Sequence, residues 1–186
     1  MLVAVRDLVR RWRGPRSRAV EVGAVRERIT GAARRGGSEE ARALARELRA
    51  LKPQVLAAFR DVKACHGCGS ERPLPHGRWD GGFCCGGRTE GVFDEDEAAA
   101  LALAGTRARD LRAPAGDHAG CAFRGPEGCS LDARDRPTLC VRFVCRELEG
   151  ELRASGEWTR VRALTRKLET TFARFVRVLG EGERGP

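Results

Sequence analysis

Eight cysteines carry the chemistry of this chain: Cys65, Cys68, Cys84, Cys85, Cys121, Cys129, Cys140 and Cys145. In a reducing compartment, clustered Cys point to metal or redox chemistry more often than to disulfides. The first pair reads CHGCG. Two intervening residues let both sulfurs face one ion, and Gly67 and Gly69 tolerate the backbone of such a knuckle. Redox motifs share this spacing, but a thioredoxin-type reading needs a preceding strand, and the residues before Cys65 read as helix.

Cys121 and Cys129 flank a turn containing Gly125, Pro126 and Gly128. A hairpin centred on Gly125 would set the two cysteines opposite each other, with Cβ atoms about 5 Å apart, close enough to share one metal. A bulge would shift that register. The other two pairs behave differently. In extended backbone, Cys84 and Cys85 point to opposite faces. On one helix, Cys140 and Cys145 are turned from each other by roughly 140°. Each of these pairs reads as a bridge between two centres, or as one ligand and one bystander. Eight thiolates fit two tetrahedral sites, or one site plus a cluster. The spacing predicts ligands converging from both halves of the cysteine region. His66, His76 and His118 lie near Cys in the chain and read as neighbours of the site or as surface.

The segment GCAFRGPEGCSLDARDRPTLCVRFVC resembles the second half of the zinc- or iron-chelating cysteine-cluster family of YkgJ type. That family has Cys-x2-Cys, a Cys-Cys pair, a further Cys, a turn with Gly-Cys, Arg-Pro, Cys, Arg, an aromatic and a last Cys. The matching residues are Cys65, Cys68, Cys84, Cys85, Cys121, Gly128, Cys129, Arg136, Pro137, Cys140, Arg142, Phe143 and Cys145. The resemblance spans about residues 65–147. It departs from the pattern once: 15 residues, Gly69 to Phe83, replace a short spacer before the vicinal pair. It implies that all eight Cys are ligands of zinc or iron, an iron–sulfur cluster included, with Arg136, Pro137 and Arg142 around them. A flagellin lysine methylase resembles the same family. A metal-dependent enzyme of redox or methyl-transfer type is therefore the alternative, and whether the chain is an enzyme stays open.

The elements around the cysteines are helical. The pattern predicts helices over 1–13, over Ala19–Ala33, and from an N-cap at Ser38 through Leu44, Leu48 and Leu51. Pro53 kinks that helix or starts the next. Asp94 and Glu97 resemble a capping arrangement for an Ala/Leu-rich helix ending near Gly105 or Leu111. Pro137 reads as the first position of a helix running to about Glu149. In the last helix, Val161, Leu164, Leu168, Phe172, Phe175 and Leu179 step by three or four and need a partner surface. The fold class is mainly α, with a small irregular, cysteine-rich metal-binding core and few short strands. Residues 1–60 form a basic helical arm, 61–150 the cysteine-cluster domain, and 151–186 a helix that packs on the N-terminal helices.

Charge divides along the same lines. Residues 1–60 hold 15 basic and 6 acidic side chains, 61–150 hold 12 and 15, and 151–186 hold 8 and 5. Arg supplies all the basic residues but Lys52, Lys63 and Lys167, and Asn is absent, a bias expected of a GC-rich genome. The net charge of +9 is therefore a weak sign of a nucleic-acid partner, and Trp12, Trp79 and Trp158 offer few stacking surfaces. A nucleic-acid or protein-binding adaptor on a metal scaffold ranks third, and the Arg-rich faces read as solvated. No apolar run approaches the roughly 18 residues of a membrane helix. Arg6 and Asp7 interrupt what a signal peptide would need. The expectation is a cytoplasmic protein with metal ions as its partners and no membrane association.

Overall fold

The computed structural model describes residues 17–59, 89–115, 121–125 and 128–183. Among these the chain is mainly α-helical, with seven α-helices and almost no strand. The expected helix over 1–13 lies outside them, as do Cys65, Cys68, Cys84, Cys85 and the three His.

Helix α1 (Arg18–Arg35) is capped by Ser17, whose side chain accepts from the Val20 N–H. Helix α2 (Glu39–Ala57) is capped by Ser38, which accepts from the Ala41 N–H, and it carries Glu39 and Glu40 at its positive end. Pro53 lies inside α2, which runs on to Ala57. A short turn, α3 (Thr89–Val92), precedes α4 (Glu95–Leu103). Asp94 caps α4 by accepting from the Glu97 N–H at 2.8 Å. At its other end Thr106 N–H bonds Leu101 C=O and Gly105 N–H bonds Ala102 C=O. This double closure needs a residue at positive φ, and Gly105 supplies it at +92°.

The core has three parts. In the first, Leu44, Leu48, Leu51 and Val55 of α2 meet Leu168 and Phe175 of α7 (Trp158–Glu183). Val161, Leu168 and Phe175 are fully buried and stand seven residues apart, so one line of α7 stays against the protein. The second part joins Val22, Val25 and Ile29 of α1 to Phe93, Ala98, Leu101, Leu111, Phe123 and Leu131. Helix α4 lies between the two parts. Its Ala99 and Ala100 face the first, while Ala98 and Leu101 face the second. This explains why its residues 98–103 are apolar all round. The third part is small: Leu148, Leu152 and Val161.

The helix expected from Pro137 to Glu149 is two helices. Helix α5 (Thr138–Arg142) has Pro137 as its N-cap rather than its first residue, and α6 (Arg146–Ala154) follows after an extended break. The two helices are anchored in different parts of the core. Val141 is buried in the first part of the core and Leu148 in the third, with Val144 packed beside Leu148. Phe143, extended at φ −74° and ψ 119°, separates the two helices. No helix among the described residues is long and apolar enough to cross a membrane.

Candidate metal centre

Cys121 opens a tight turn in which its C=O accepts from the Arg124 N–H at 3.0 Å. Strands β1 (Arg124–Gly125) and β2 (Gly128–Cys129) then pair antiparallel, with Arg124 opposite Cys129 and Gly125 opposite Gly128. The expected register, with Cys121 across from Cys129, is therefore wrong. Two residues, not the single centre Gly125, separate the paired positions Gly125 and Gly128. Cys121 stands before the ladder, at the turn that leads into it.

The hairpin is held from several sides. Phe93 and Phe123 pack as a tilted pair, with ring centres 5.2 Å apart and planes at 52°. Ser130 N–H bonds Phe123 C=O at 2.9 Å. Arg136 donates from Nε to Leu131 C=O at 3.1 Å and from Nη2 to Cys129 C=O at 3.4 Å. It thus ties the backbone of one cysteine to the approach of the next. Pro137 is buried at the start of α5. Arg142 turns the other way and pairs with Glu169 of α7.

The four described cysteines are all half-buried, and no disulfide joins one of them to another. Cys121, Cys129 and Cys140 pack against the same apolar group, that of Phe93, Leu101 and Phe123. Cys140 sits in the first turn of α5. Cys145 is separate: it packs against Leu148, Leu152 and Val161. Its Sγ caps α6 by accepting from the Leu148 N–H at 3.4 Å. The two cysteines expected on one helix are instead on either side of a break. Among the described residues no group of three or more His, Cys, Asp or Glu is arranged to hold a metal ion. The fit to a metal is therefore one of chemistry, soft thiols partly withdrawn from water, rather than of an assembled site.

Sequence reasoning missed the polar side chains that position this region. Arg18 Nη1 donates to Ala122 C=O at 2.8 Å and to Arg124 C=O at 3.2 Å. Arg26 holds Leu111 C=O through Nε and Nη2, at 3.2 and 2.8 Å. Arg28 donates to Phe93 C=O. Ala122 N–H donates to Thr89 Oγ1 at 2.8 Å, and Thr89 donates in turn to Glu21. These α1 residues, read from sequence as a solvated face, brace the loops that carry the cysteines. Beneath them, Lys52 Nζ meets Glu97 Oε1 at 2.9 Å, and both side chains are buried. The one available signal was the position of Lys52, on the same stripe of α2 as Leu48 and Val55.

Comparison with protein-family models, with curated proteins and with solved structures finds no match. The family resemblance stands on its motif residues alone.

Proposed function

We propose that this is a metal-binding cysteine-cluster protein, whose eight Cys hold zinc or an iron–sulfur centre with ligands drawn from both halves of the cysteine region. The observation that carries the reading is the anchoring of the two chain ends that lead to the N-terminal four cysteines. Phe59 packs against the same apolar group as Cys145. It stands six residues before Cys65, so that stretch reaches at most about 20 Å. At the other end, Thr89 bonds the Ala122 N–H, next to Cys121. It stands four residues after Cys85, a reach of at most about 14 Å. The chain leaves the scaffold beside Cys145 and returns beside Cys121.

This arrangement supports shared centres. The later four cysteines are split between two apolar groups, three against one and one against the other. They lack a complete ligand set of their own, and the earlier four supply what is missing. Thiolate sets suit both zinc and iron–sulfur clusters. A closed four-thiolate zinc site has no open position and serves structure. The nucleic-acid reading loses support, since Arg18, Arg26 and Arg28 are engaged with backbone carbonyls. Anaerobic purification, elemental analysis and an absorption spectrum test the proposal. Bound zinc without colour, or bound iron with visible sulfur-to-iron bands, is expected. A metal-free protein overturns it.

A further inference from the structure

Helix α5 is five residues long, too short to be stable alone. Its N-cap, Pro137, makes no side-chain capping bond. One apolar anchor, Val141, is fully buried against α2 and α7. One anchor fixes the distance of a short helix from its neighbours but not its rotation. Leu139 and Phe143 are each 40% exposed, so the rest of the helix supplies little apolar grip. Cys140 nevertheless borders the other part of the core, beside Leu101 and Phe123.

The second anchor is polar. Thr138, the first residue of α5, donates its hydroxyl to Glu97 Oε1 at 3.2 Å. The same oxygen accepts from Lys52 Nζ at 2.9 Å. Lys52 is 2% exposed and Glu97 4% by side chain. A buried ion pair is a poor source of net stability, because desolvation offsets the attraction, and apolar residues of similar volume often do as well or better. What the pair supplies is direction. A hydrogen bond fixes one atom of α5 against one atom of α4, and Lys52 holds that carboxylate in place from α2. A parallel arrangement sits just upstream. Asp135, buried before Pro137, accepts from Thr106 at 2.7 Å and lies 3.5 Å from Arg49, one turn before Lys52 on α2.

We propose that Lys52, Glu97 and Thr138 form a buried positioning device that sets the rotation of α5 and thereby holds the Cys140 thiol toward the cysteine centre. Its purpose rests on the metal-binding reading, but its existence does not. Removing the Thr138 hydroxyl lets α5 turn about Val141 and releases Cys140 from its half-buried place. Cys145, on the far side of the break and in another part of the core, is unaffected.

The test is alkylation of the full-length protein with iodoacetamide, read by peptide mass spectrometry as the ratio of modified Cys140 to modified Cys145. Thr138→Val keeps the branched shape and loses the donor; it should raise the ratio about tenfold, the equivalent of one hydrogen bond to a charged group. Thr138→Ser keeps the donor and should stay near wild type. Should Thr138→Val fail to fold, the paired replacement Lys52→Met with Glu97→Leu decides. It removes both charges together, should melt no lower than wild type, and should raise the ratio in the same direction. A wild-type ratio in whichever of these variants folds overturns the proposal, and so does Thr138→Ser behaving like Thr138→Val. Metal content of the wild type is measured separately. A metal-free chain whose ratio still responds removes the metal reading and leaves the device standing. A metal-bound chain whose ratio never responds does the reverse.

Discussion

Between α2 and α7 the chain is held by apolar side chains: Leu44, Leu48, Leu51, Leu168 and Phe175. Ion pairs such as Lys167–Glu47 at 3.2 Å and Arg174–Glu40 at 2.5 Å decorate the rim of that contact. Between Cys121 and Cys145 the elements are two, three or five residues long, and Arg18 of α1 and the nearby Arg136 grip backbone carbonyls there. The first region draws its stability from buried area, about 1.5–3 kcal/mol for each large aliphatic side chain. The second buries fewer large apolar side chains, Phe123, Leu131 and Val141. It adds polar contacts with defined direction. Strength therefore belongs to the scaffold and precision to the cysteine stretch.

Substitutions that treat the two regions alike would break this contrast. The largest effect belongs to the scaffold. Leu168→Asp forces a carboxylate into a fully buried site and should cost roughly 4 kcal/mol or more, enough to threaten the whole fold. Thermal unfolding by circular dichroism measures it, and a wild-type melting curve would mean that α7 is not part of the core. Next is Lys52→Ala. It leaves the Glu97 carboxylate buried without its cation and should cost about 3–5 kcal/mol in urea unfolding.

Smaller effects sharpen the contrast. Arg26→Ala removes both bonds to Leu111 C=O and should cost about 1.5–3 kcal/mol. Hydrogen exchange should then speed up around Leu111 and the hairpin while α7 stays protected. Uniform loosening would show that the regions are not separable. The smallest effect concerns pH. The Arg107 backbone N–H, and then its guanidinium, hold the Asp110 carboxyl below the usual carboxylate range. That contribution is complete above the unfolded pKa and is lost as pH falls through the lower folded value. Asp110→Asn should slightly lower stability near neutrality and converge with wild type at low pH, which flattens the acid limb of a stability–pH curve.

Local features of the sequence were legible. Ser38 and Asp94 are N-caps because a short side chain reaches its own helix, and no distant partner is needed. The stripe of α7 follows from its spacing. Other features depend on partners far along the chain. Arg18 and Arg26 look like surface residues until their acceptors, some 85 to 106 positions away, are known. Lys52 sat on an apolar stripe, and its Glu97 partner was read only as part of a cap. The hairpin register differs from one centred on Gly125 because the pairing runs on to Gly125–Gly128 and sets Cys129 opposite Arg124, three positions from Cys121. The break at Phe143 has no Gly or Pro to announce it between Thr138 and Glu149.

The central claim is that both halves of the cysteine region build the same centre or adjacent ones. The most direct test is metal content per chain for anaerobically prepared wild type, Cys65→Ser and Cys140→Ser, read by elemental analysis alongside thiol titration. Wild type should carry zinc or iron with its thiols protected. Each variant should lose metal and expose thiols in the half of the region that was not mutated. A wild type without metal, whose eight thiols all titrate freely, would contradict metal binding itself. Loss confined to the mutated half would contradict the shared centre.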